Sequence, residues 1–149
     1  MKHTIISVGG RHDADIAQRI SRYEKRLAQI APIEWQLLPH AKGSESEVRQ
    51  RESEQIRQRL KAGSFVILLD ERGQEYDSPG LAAVIEKAAR DITWIIGGAY
   101  GVDETLLDQA DVVLSLSKMI FPHQLVRAML VEQIYRCEMI RRGHPYHHG

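Results

Sequence analysis

Apolar positions along this chain fall into five short runs, set between longer stretches of helical period. Thr4–Val8, Ile33–Leu38, Phe65–Leu69, Ile92–Ile96 and Val112–Leu114 read as strands. The last two show no apolar–polar alternation, as expected where helices cover both faces of a parallel sheet. Ile16, Ile20, Tyr23, Leu27 and Ile30 share one face of a helix from Ala14 to about Ile30, with Asp13 placed to cap it. Ser78 and Pro79 supply an N-cap and a favoured first residue for a helix that buries Leu81, Ala82, Ile85, Ala88 and Ala89. A short helix follows the glycines at 97–101, and a long one begins near His123. Strands alternating with helices five times predict an α/β fold with a mostly parallel sheet flanked by helices. The segment 42–61 has only Val48, Ile56 and Leu60 as sizeable apolar residues. It predicts a largely solvated helix whose charges form no binding site.

The last helix carries Leu125, Val126, Met129, Leu130, Val131, Ile134, Tyr135, Met139 and Ile140 around most of its circumference. A helix apolar on two faces is buried on two sides. One side is the sheet, and the other is most simply a second copy of the chain, so a homodimer is expected.

Composition narrows the class. The 149 residues suit one domain, residues 1–149. Hydrophobic residues make up 43% and charged residues 27%, ordinary for a soluble globular protein. A formal net charge of zero excludes a strongly basic, nonspecific nucleic-acid binder and leaves room for a local basic patch. Cys137 is the only cysteine, so no disulfide forms within the chain. That fits a reducing, cytoplasmic setting. The N-terminus lacks a signal-peptide layout, and no run approaches a membrane span.

Candidate chemistry concentrates between Ile92 and Arg127. A strand runs into Gly97-Gly98-Ala99-Tyr100-Gly101, and a second strand runs into a Ser/Lys/Met/Phe/Pro loop. Loops at the carboxyl ends of strands are where open α/β sheets bind ligands. Gly97 and Gly98 permit positive φ and a close backbone approach. The loops after Leu69, Ile96 and Leu114 converge on one pocket, lined by backbone amides and few charges, suited to an amphiphilic small molecule. Phosphate-loop, dinucleotide and serine-hydrolase motifs are absent. The terminal HPYHHG holds four ring-bearing polar side chains between His144 and His148. Metal is not expected there: Pro145 breaks the helix, and no carboxylate or thiol ligand accompanies the histidines.

LSLSKMIFPHQLVR, IIGGAYG, LLDERG and the terminal HPYHHG together resemble the RlmH family. These are SPOUT-class methyltransferases that act on pseudouridine N3 in bacterial large-subunit (23S) ribosomal RNA. The resemblance spans the whole chain. It implies a SPOUT-type fold with a C-terminal trefoil knot, an S-adenosylmethionine cofactor and an obligate homodimer. It places the cofactor on Leu69, on Gly97 and Gly98, and on Leu116, Ser117, Lys118, Met119, Ile120 and Phe121. Ribosomal RNA is the implied partner; a near-neutral chain with no added RNA-binding domain points to the assembled ribosome as substrate, with free RNA and the subunit left open.

Methyl transfer from a sulfonium to a ring imide needs positioning and a group that takes the departing proton. Tyr146, His147 and His123 are the candidates. Tyr146 can stack on a base or donate to its carbonyl, and His147 titrates near neutral pH. Arg141 and Arg142, with His144 beside them, are placed to meet RNA phosphates. Two rival classes stay open. A non-catalytic, S-adenosylmethionine-binding ribosome-associated factor would bind without turnover. A flavodoxin-like domain needs a phosphate loop after the first strand, which Val8-Gly9-Gly10-Arg11 matches poorly.

Overall fold

The computed structural model describes residues 1–144 of the chain. Five strands alternate with five helices: β1 His3–Val8, α1 Ala14–Leu27, β2 Ile33–Leu38, α2 Glu45–Arg59, β3 Phe65–Glu75, α3 Ser78–Ala88, β4 Ile92–Ile96, α4 Glu104–Gln109, β5 Val112–Ser115 and α5 His123–Arg141. The strands form one parallel sheet in the order β2-β1-β4-β3-β5. Alternate residues of each strand face opposite sides. Ile5, Ile67, Trp94 and Leu114 pack under α1, α3 and α5. Ile6, Leu68 and Ile95 pack under Ile56 of α2 and Leu106 of α4.

Three local expectations change. The α3 cap is Asp77, one residue earlier than expected; its side chain accepts from Gly80 N–H, and Pro79 sits in the first turn. The segment 70–73 does not end β3. Leu69 and Gln74 both pair with Leu114, so Asp70–Gly73 bulge out of a strand that resumes. Gly73 is required there, because a Cβ would lie 2.5 Å from the Val113 carbonyl oxygen.

The third change concerns α5. Its apolar circumference is largely covered within one chain. Leu130, Val131, Ile134, Cys137 and Met139 are buried in the core shared with the sheet, α1 and α3. Tyr23 of α1 packs on Tyr135 with ring centroids 5.5 Å apart. Most of both apolar faces of α5 is therefore covered inside the protomer. Of the large apolar residues on α5 only Leu125 stays exposed, beside the exposed Met119 and Ile120 of the loop that leads into the helix.

Candidate functional site

The carboxyl ends of β3, β4 and β5 open into a cavity of about 890 Å³. Its floor is the turn after β4. Glycine is needed there for reasons that differ along the turn. Gly97 and Gly98 do not have positive φ; only Gly101 does, at 75°. A Cβ on Gly97 would stand 3.0 Å from Val102 Cγ1, and one on Gly98 would overlap Glu52 Oε1. The expected close approach is present, but it is to the protein's own side chains. Gly98 and Gly101 also bridge each other, with Gly101 N–H donating to Gly98 O at 3.0 Å.

The opposite wall is the loop after β5. Ser117 organises it: its hydroxyl accepts from Met119 N–H at 3.0 Å, and its carbonyl accepts from Ser115 Oγ at 2.9 Å. Leu116, Ser117, Met119, Ile120 and Phe121 line the cavity with Leu69, Gly97 and Gly98. Lys118, expected with them, is exposed and is not part of the lining.

The rim is more charged than expected. Glu45 and Arg49 come from α2, Asp70, Glu71 and Arg72 from the β3 bulge, and Asp103 and Glu104 from the start of α4. The Arg72 guanidinium bonds both Asp70 oxygens at 2.9 Å and holds that carboxyl below the usual carboxylate range. Acidic groups outnumber basic ones around the opening, which favours a cationic ligand.

His123 lines the cavity at the first turn of α5. Burial lowers its pKa most, with further lowering from Arg127 and His40 and opposition from Glu52. A neutral imidazole at this place is a proton acceptor at pH 7. Arg127, one turn on, is fully buried and bonds Ser7 Oγ at 2.9 Å, Gly9 O at 3.0 Å and His12 Nδ1 at 3.2 Å. Gln124 accepts from Asp13 N–H at 2.8 Å and donates to Arg11 O at 3.0 Å. The first turn of α5 is thus tied to the loop after β1, which fixes His123 on the wall.

Arg141, Arg142 and His144 lie elsewhere. Arg141 donates to Glu138 at 2.7 Å and also bonds Glu86, while Arg142 donates to Ile30 O at 3.2 Å, on the loop before β2. They stand at the amino ends of the strands, a helix length from His123. Tyr146 and His147 lie outside the described residues. Among the described residues no group of three or more His, Cys, Asp or Glu could hold a metal, and no helix is long and apolar enough to cross a membrane.

Sequence reasoning missed Arg49, the acidic rim and Glu52. Glu52 falls at helical spacing between Val48 and Ile56, on the buried stripe of α2, and is 2% exposed. That spacing was the available signal.

The family described as predicted SPOUT methyltransferase matches residues 1–147. Proteins named ribosomal RNA large subunit methyltransferase H are similar over the full length. Those of Acetivibrio thermocellus and Allorhizobium ampelinum are each 40% identical, over 99% of both chains. That of Parabacteroides distasonis is 34% identical over 99% of both. A glycine-floored cavity at the strand ends and full-length matches of this kind agree: the chain belongs to the SPOUT methyltransferase family.

Proposed function

We propose that this protein methylates N3 of a pseudouridine in 23S ribosomal RNA with S-adenosylmethionine as donor, working as a cytoplasmic homodimer on the assembled ribosome. The observation that carries the reading is the cavity itself, with backbone and apolar walls, an acidic rim and a neutral imidazole on one side. Its size falls within the usual range of small-molecule sites, about 300–1,000 Å³.

When bound, the cofactor supplies a methyl group on a cationic sulfur. Leu69, Gly97, Gly98 and the 116–121 loop would hold it, and the acidic rim suits its positive charge. The chain's own work is to orient the acceptor, exclude water and take a proton. A ring imide nitrogen loses its proton as it is methylated. His123 takes that proton, since burial keeps its imidazole neutral.

The tail enters by reach. α5 has 19 residues, a length of about 28 Å. His144, past its end, stands about that far from the cavity wall of its own chain. In the homodimer the tail bearing Tyr146 and His147 serves the pocket of the second copy, with Met119, Ile120 and Leu125 as apolar surface for the contact. The C-terminal trefoil knot of SPOUT folds belongs to this reading too.

The test is tritiated methyl transfer to ribosomes from cells lacking the modification, with mass spectrometry of the labelled nucleoside. Label at pseudouridine N3 is expected. Cofactor binding without transfer would favour a ribosome-associated binding factor.

A further inference from the structure

The polar helix α2 is bonded along one face to the turn that floors the cavity. Arg49 Nε donates to Tyr100 O at 2.9 Å. Ser53 Oγ accepts from Asp103 N–H at 2.9 Å. Arg57 Nη1 reaches both oxygens of Asp103 at 2.9 Å, and Asp103 in turn caps α4 through Leu106 N–H. Residues 49, 53 and 57 follow the i, i+4 spacing of a single helical face. Glu52 lies in the same contact zone and is the most buried acidic group near the cavity, at 2% exposure. Its Oε2 accepts from Ala41 N–H at 3.0 Å and lies 3.9 Å from His40 Nδ1. Its Oε1 has no hydrogen-bond partner among the described residues, and it lies where a Cβ on Gly98 would be. Burying a polar oxygen unpaired is unfavourable, so a side chain kept in that state calls for a role.

We infer that Glu52 is a positioning residue for the cavity: wedged beneath Gly98 and bonded to Ala41, it sets the height of the glycine turn and thereby the affinity for the methyl donor. It touches no reacting atom and acts through the Gly98 backbone. The inference rests on the proposed reading of the cavity as the S-adenosylmethionine site. Shape is the operative property. Glutamine keeps the wedge and the bond to Ala41, whereas alanine removes both. A Cβ on Gly98 has no room beside Glu52 but fits the space that Glu52→Ala vacates.

Calorimetry with S-adenosylmethionine and S-adenosylhomocysteine tests this on the full-length wild type, Glu52→Gln, Glu52→Ala, Gly98→Ala and the Glu52→Ala/Gly98→Ala double variant. Arg59→Ala, on the exposed end of the same helix, is the control. Circular dichroism melts report folding. Glu52→Ala and Gly98→Ala should each weaken both ligands about tenfold, and the double variant should lose no more than either single one. Glu52→Gln should bind like wild type. Unchanged affinity in Glu52→Ala, or two losses that add in full, would overturn the inference. So would a Glu52→Gln loss confined to the cationic ligand, because charge rather than shape would then be acting. A wild type that binds neither ligand would instead remove the cavity reading on which the inference stands.

Discussion

His3 Nε2 and Glu138 Oε2 stand 2.7 Å apart, both side chains sealed from solvent, across 135 residues of sequence. Trp94 Nε1 donates to His3 Nδ1 at 3.0 Å, and an indole nitrogen only donates, so Nε2 carries the hydrogen that Glu138 accepts. Burial pushes the Glu138 carboxyl up, but the hydrogen bond from His3 and the charges of Arg141 and Arg142 outweigh it and hold it below its ordinary value. Glu138→Ala strands the His3 and Arg141 donors. It should cost about 3 kcal/mol or more in urea unfolding. Glu138→Gln, which still accepts, should cost clearly less.

Acidification should destabilise the fold before the carboxylates titrate. His12 and His123 both have lowered pKa values, by burial first and then by Arg127. A depressed histidine stays neutral in the fold while the unfolded chain takes up protons near its ordinary pKa of about 6.5. The unfolded state then binds more protons, so stability falls as pH drops through that value toward the folded pKa. Denaturant midpoints should decline from pH 7 to 5.5, and His12→Phe should flatten part of the decline. For catalysis, the acid limb of the pH–rate profile should lie below the ordinary histidine value.

Gly73→Ala tests the β3 bulge. The added Cβ meets the Val113 backbone, which cannot rotate away as a side chain would. Overpacking of this kind costs about 1–3 kcal/mol. The loss should appear in thermal melts together with weaker cofactor binding, because the bulge carries Asp70, Glu71 and Arg72 to the cavity rim. Normal stability with normal binding would mean that the bulge moves freely.

Mixing experiments test the tail. A chain ending at His144 should fold and bind cofactor, since the cavity lies upstream, yet fail to methylate ribosomes. His123→Ala should also fail. If the tail works on the opposite protomer, co-refolding the two inactive variants should restore activity, because one mixed pocket then has both an intact His123 and an intact tail. No recovery at any mixing ratio would show that both groups act within one chain.

Strand and helix order could be read from the apolar periods because each element is amphipathic or fully apolar at its own period. The same periods left α2 and the bulge obscure for physical reasons. In α2 the buried stripe is Val48, Glu52, Ser53 and Ile56, half of it polar, so the stripe scarcely differs from a solvated face. In β3 the residues Asp70-Glu71-Arg72-Gly73 look like a turn, and only the pairing of Gln74 with Leu114 shows the strand resuming. The lining was legible at Leu69, Gly97 and Gly98, where strand ends and glycines mark it, and at Phe121 only through the family resemblance. Arg141 and Arg142 stand away from the cavity of their own chain, because nearness in sequence to the tail says nothing about distance along a rigid helix.

The sheet order has a consequence for synthesis. β1 is an interior strand, flanked by β2 and β4, and its first residue is locked by Glu138 in the last helix. An emerging nascent chain can form β1, α1 and β2 early, but the slot beside β1 stays open until Ile92–Ile96 arrives, and His3 has no acid to meet until α5 has cleared the exit tunnel. Native closure therefore waits for the last helix and is dominated by non-local contacts, which are slow to form. Premature truncation anywhere before α5 should yield a chain that chaperones hold and proteases remove.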